Sequence, residues 1–141
     1  MIDAGECTAI VLYDGECGFC QVMLAALLNW DRARRFAAAA IQSARGERLL
    51  AEMPATARLA SWHLVQGASI RSGSAAVPVV LGVLPGGASL GAVSARFPRA
   101  TSRAYDWVAS HRALLGRFFG GRARAWAARV IVEREQQSAT Q

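Results

Sequence analysis

Residues 9 to 20 read AIVLYDGECGFC: an apolar, β-branched run broken by Asp14-Gly15 and followed at once by a Cys-x-x-Cys pair. A run of this length bounded by a turn signal reads as a buried strand, Ala9 to Tyr13, placed as the first strand of a sheet. From Phe19 onward Val22, Met23, Ala26, Leu27 and Trp30 recur at spacings of three and four, which predicts a helix with these residues on its buried face. Strand, tight turn and helix in so few residues fix where the thiols fall. Cys17 sits at the helix N-terminus, where unpaired backbone N–H groups and the helix dipole favour a thiolate, and Cys20 lies one turn deeper.

The rest of the chain continues the alternation. Arg35 to Ile41 is rich in alanine, yet its place after a helix and a charged turn predicts a strand. Ser43 is the expected N-cap of a short helix reaching Met53, with Pro54 just past its end. Ser61 to Val65 alternates as a strand, and Ser69 to Arg71 is expected to pair back on it across the Gly67 turn. The resulting order, β-α-β-α-β-β, predicts an α/β fold followed by C-terminal helices. Ser72 to Leu84 reads as a helix that Pro78 starts late or kinks. Ser89 to Phe97 and Thr101 to Phe119 are two more, separated by Pro98, and Tyr105, Val108, Leu115 and Phe119 supply the second one's apolar positions. Gly120-Gly121 breaks the pattern, so residues 1–119 are read as one domain. Residues 120–141 are read as an Arg-rich extension, helical from Arg122 to Glu135, with a disordered polar tail from Gln136 to Gln141.

Composition excludes several classes. At 53% hydrophobic the chain is neither disordered nor fibrous, and no apolar run approaches the roughly 18 residues a membrane span needs. Asp3 and Glu6 stand where a secretory signal would be apolar, so a soluble cytoplasmic protein and a monomer are expected. All of its cationic residues are arginine, most of them at or beyond Arg96, with a net charge of +6 at pH 7. Without a zinc finger, an aromatic RNA-binding pattern or a helix-turn-helix, this basicity reads as a solvated surface rather than a nucleic-acid site. Leu114, Leu115, Phe118, Phe119, Trp126, Val130 and Ile131 alternate with Arg117, Arg122, Arg124 and Arg129, a pattern that also suits reversible, peripheral contact with anionic lipid.

Three cysteines cannot form a disulfide framework, so the Cys-x-x-Cys points to redox or metal chemistry. Metal is disfavoured because a zinc site needs about four ligands and only scattered His63 and His111 are at hand, both read as structural. No cofactor is expected. The run from Cys7 to Asp14 spans about 23 Å as a strand, far beyond the roughly 7 Å that a disulfide tolerates between Cα atoms. Cys7 is therefore expected to stay free while Cys17 attacks a substrate disulfide and Cys20 resolves the mixed disulfide. Glu16 opposes thiolate formation by like charge. Asp14 either caps the turn or moves protons to and from the thiols.

At YDGECGFC the sequence resembles the DCC family of thiol-disulfide oxidoreductases, also catalogued as the domain of unknown function DUF393, in which an apolar strand ends in Asp-Gly-x-Cys-x-x-Cys. Here those positions are Asp14, Gly15, Cys17 and Cys20. RFAAAAIQSARGERLL is similar to the family's second strand and following helix, WHLV to its third strand, IRSGSAA to its next turn and helix start, and RAYDWVASHR to its closing helix. The likeness covers roughly residues 9 to 119. It implies a thioredoxin-like fold, dithiol-disulfide exchange and an unidentified disulfide substrate or redox partner. Thioredoxins carry Trp-Cys-Gly-Pro-Cys and a cis-proline before a core strand. This chain has Gly18-Phe19 between its cysteines and Ala60-Ser61 before that strand, which argues against a general protein-disulfide reductase. The alternative is a non-catalytic module whose Arg-rich C-terminal helices bind an anionic partner or membrane surface.

Overall fold

β1 (Ala9–Tyr13) is an inner strand, and its unbroken apolarity follows from burial on both faces. Ala9, Val11 and Tyr13 enter one core with Leu24 and Leu28, while Leu12 faces the opposite way toward Leu50 and Ile41. The computed structural model describes residues 9–139. After β1 come α1 (Gly18–Trp30), β2 (Phe36–Ala40), α2 (Ala44–Leu49), the single turn α3 (Ala55–Arg58), β3 (His63–Gln66) and β4 (Ser69–Ser72). A 3₁₀ turn, Gly73–Ala76, leads into α4 (Val77–Val83), then α5 (Ala88–Arg96), α6 (Pro98–Gly116) and α7 (Gly121–Ala139). The sheet order is β2-β1-β3-β4; β2 runs parallel to β1, and β3 and β4 are antiparallel to their neighbours. This is the α/β sheet with C-terminal helices that the element order predicts, in the mixed, thioredoxin-like form that the family resemblance implies.

The alanine run is a strand because of where it lies. Pairing from Ala9↔Phe36 to Tyr13↔Ala40 puts small side chains where both faces are covered, and this tertiary setting overrides alanine's helix propensity. Ser43 caps α2 as expected, its Oγ accepting from the Gly46 N–H at 3.1 Å. Gly46 is required there, since a methyl would collide with the Ala40 and Ile41 carbonyl oxygens. α2 ends at Leu49, short of Met53, and Pro54 starts α3, which the sequence pattern did not reveal. Pro98 likewise opens α6 rather than merely separating two helices, because its fixed φ suits a first turn.

Two expectations are corrected by α7. The buried residues of α1 are Val22, Leu24, Ala25 and Leu28, whereas Met23 and Trp30 are exposed. The reason is that α1 is covered twice: the sheet takes Leu24 and Leu28, and α7 takes Val22 and Ala25 through Ala127, Trp126 and Val130. The helix also runs on through Gln136 to Ala139, where a disordered tail was expected. Ile131 is buried in the main core, so the apolar stripe of α7 is spent on α1 and the sheet.

α7 is fastened by a buried ion pair. Asp31, only 1% exposed, ends α1 and accepts the backbone N–H groups of Arg35 at 3.0 Å and Phe36 at 2.9 Å. Arg134 reaches it at 2.6 Å and donates also to the carbonyls of Phe36 (2.8 Å), Leu28 (2.9 Å) and Asp31 (3.3 Å). Arg134→Ala leaves the Asp31 charge buried with one partner gone, and the expected loss is about 3–5 kcal/mol of folding stability. Urea denaturation followed by circular dichroism measures it; a loss below about 1 kcal/mol, the usual worth of a surface pair, would contradict the assignment.

Candidate active site

The parallel and antiparallel registers bring three chain segments to one end of the sheet. β1 ends at Tyr13 beside Ala40, the end of β2, and Leu12 faces His63, the start of β3. The turn after β1, the residues after β2 and the residues before β3 therefore meet, and the Cys-x-x-Cys lies in the first of them.

The turn is held by side chains of known donor capacity. Asp14 Oδ1 accepts from the Glu16 N–H at 3.0 Å and from Gln42 Nε2 at 2.7 Å, while Gln42 Oε1 accepts from the Gly15 N–H at 3.0 Å. Gln21 on α1 donates to the Gly15 carbonyl, tying helix to turn. Asp14 thus caps the turn, one of its two expected roles. Glu16 points to solvent. Gln42 went unnoticed in the sequence, although its place just past a strand parallel to β1 puts it at this end of the sheet.

Cys17 is the N-cap of α1, and its sulfur accepts from the Cys20 N–H at 3.3 Å. Both described cysteines are free thiols, and the Cys20 thiol is directed at Cys17 Sγ at 2.7 Å. Burial pushes the Cys20 thiol up to about 12, reinforced by its hydrogen bond to Cys17, by the Cys17 charge and, least, by Asp14; Arg112 opposes the rise. Cys20 therefore keeps its proton at neutral pH. Cys7 lies outside the described residues.

Beside Cys20 opens a cleft of about 320 Å³ walled by apolar side chains of α1 and α6 and by Trp62. Asp14 and Ser61 lie at its edge. Tyr105, Val108, Ala109 and Arg112 all face it, the spacing of one helical face, and Tyr105 and Val108 were legible as apolar positions of α6 while Arg112 was not. Tyr105 also packs over Gly73, whose φ of 56° strains any other residue and where an added Cβ would come within 3.2 Å of the ring. Burial raises the Tyr105 hydroxyl's pKa, opposed by a backbone hydrogen bond from Trp62. No cis peptide bond occurs among the described residues, so the segment before β3 carries no cis-proline.

The two histidines stand apart from this chemistry. His63 is buried between the Arg58 carbonyl (2.8 Å) and Ser72 Oγ (2.7 Å); a carbonyl only accepts, so Nε2 carries a hydrogen toward Arg58, and Nδ1 shares its hydrogen bond with the serine hydroxyl. His111 donates to the Trp107 carbonyl and stacks on its ring. Among the described residues no group of three His, Cys, Asp or Glu side chains could hold a metal ion.

The Cys-x-x-Cys thus stands at the start of the first helix of a thioredoxin-like sheet. The family comparison agrees: the model described as DCC1-like thiol-disulfide oxidoreductase matches residues 11–118, and the chain belongs to that family. No curated protein and no solved structure matches it.

The raised Cys20 thiol has a consequence for stability. An unfolded thiol ionises near about 8.5, whereas the folded protein holds this proton to about 12. The stabilisation is complete below the unfolded value and is lost as pH rises through the folded one. Reduced protein is expected to lose urea resistance progressively above about pH 8.5, with a shallower decline in Cys20→Ser; identical slopes would contradict the burial of this thiol.

Proposed function

We propose that the protein is a thiol-disulfide oxidoreductase in which Cys17 is the attacking and Cys20 the resolving sulfur. The observation that carries this reading is the asymmetry of two thiols 2.7 Å apart, one receiving hydrogen bonds and the other retaining its proton. The Cys17 thiolate attacks one sulfur of a disulfide R–S–S–R′, forming Cys17–S–S–R and expelling R′–S⁻. Cys20 then loses its proton and attacks Cys17 Sγ, R–S⁻ departs, and two protein thiols have been oxidised as one disulfide is reduced to two thiols. An external dithiol returns the pair to the reduced state by the same exchange in reverse. Asp14, at the edge of the cleft that Cys20 lines, is the group proposed to take the Cys20 proton.

Titration in graded thiol-disulfide buffers with mass mapping tests the reading: a reversible Cys17–Cys20 disulfide is expected, and none at any buffer ratio would refute it. At pH 8 iodoacetamide should label Cys17 well before Cys20, while Cys20→Ser should accumulate the mixed disulfide. Asp14→Asn keeps an oxygen for the Glu16 N–H, so it should slow resolution by about tenfold or more at little cost in stability. A mainly structural Asp14 would give the opposite pattern.

A second reading, contact with an anionic surface, is favoured by one feature. Arg96, Arg99 and Arg103 border a shallow depression around Phe97 at the α5–α6 junction, and Leu90, Val93 and Phe97 form an exposed stripe along α5. No described helix is long and apolar enough to cross a membrane, so such contact would be interfacial. Co-sedimentation with phosphatidylglycerol vesicles at low salt, absent with phosphatidylcholine, is the expected result. Equal behaviour on both lipids would remove this reading.

A further inference from the structure

The cleft beside Cys20 has features that disulfide exchange as such does not require. Its wall is apolar, built from Phe19, Leu27, Trp62 and Val108, yet the half-buried guanidinium of Arg112 lies in the same cleft as the Cys20 sulfur. Among the described residues Arg112 is paired with no carboxylate. The ion pair found among the described residues is Arg134–Asp31, and the carboxylate that shares the cleft, Asp14, is engaged by Gln42 and the Glu16 N–H. A volume of about 320 Å³ suits part of a small molecule, since ligand sites run from about 300 to 1,000 Å³.

Resting on the thiol-exchange reading above, we propose that this cleft receives one arm of a low-molecular-weight disulfide, an aromatic or branched apolar arm bearing an anionic group that pairs with Arg112. In the mixed disulfide on Cys17 the arm lies along the apolar wall beside Cys20. When Cys20 attacks Cys17 Sγ, the bond from that sulfur to the arm breaks. The arm leaves as a thiolate next to Arg112 and is protonated by the proton Cys20 gave up. An apolar wall selects the body of the arm, and a partly desolvated arginine selects its charge more strongly than an exposed one would.

The test is stopped-flow oxidation of the reduced full-length chain by four disulfides: dithiobis(nitrobenzoate), aromatic and anionic; dithiodipyridine, aromatic and uncharged; dithiodiglycolate, small and anionic; and cystamine, small and cationic. Each rate is divided by that of glutathione with the same disulfide at the same pH, which removes intrinsic reactivity. The aromatic dicarboxylate is expected to exceed the other three by about tenfold or more. Arg112→Gln should collapse its advantage over dithiodipyridine, whereas Arg122→Gln, on an exposed position of α7, should not. Ala109→Phe, which fills the cleft, should slow the aromatic disulfides more than dithiodiglycolate. Equal normalised rates, or the same loss in Arg112→Gln and Arg122→Gln from the net charge alone, overturn this inference and leave thiol exchange standing. No oxidation of Cys17 and Cys20 by any of the four overturns the thiol-exchange reading itself.

Discussion

Asp31 and Arg134 meet where three elements converge: the end of α1, the start of β2 and the far part of α7. Burying two charges is costly, and the cost is offset here because every buried side-chain nitrogen and oxygen among the described residues has a partner. Asp31 takes over the N–H groups that a strand start would otherwise leave open, and Arg134 takes carbonyls that a helix end would leave open. The pair therefore specifies one arrangement of helix, strand and helix more than it adds net stability. With α1 fixed at this end, its N-terminus is presented at the other end of β1, where the thiols lie.

One helical turn separates the two sulfurs, yet their surroundings differ in kind. Cys17 stands outside the helix as its cap and receives donors; Cys20 is inside the first turn and faces the cleft. The spacing of two intervening residues is what allows both conditions at once, since it places the second sulfur's own N–H within reach of the first sulfur. The Tyr13–Glu135 contact shows the same economy on the covered face. Burial raises the phenol, and the carboxylate that accepts its hydrogen bond is raised in turn by burial.

Much of this was legible where local chemistry decides. The strand-turn-helix of residues 9 to 30, the Ser43 cap, the Gly67 hairpin and the Cys17–Cys20 pair all rest on turn chemistry and spacing that short windows contain. The face of α1 was read differently because periodicity reports that a helix has an apolar side, and α1 has two covered sides whose second partner lies about a hundred residues away. Arg112 and Gln42 were invisible for a similar reason: a polar residue on a helix face or after a strand gains its meaning from what the topology sets opposite it. Arg134 and Asp31 look like any surface charges in sequence, and only the packing of α7 takes them out of water.

The separation of 103 residues between Asp31 and Arg134 has a bearing on how the protein is made. During synthesis α1 emerges early, with Val22 and Ala25 facing water and Asp31 lacking its cation, and it stays so until α7 has left the ribosome. Closure of so long a loop costs entropy that grows with its length, so the seam between α1 and α7 is a long-range contact of the kind that slows folding. The helix that carries the dithiol is therefore covered along one side only by residues translated far after it.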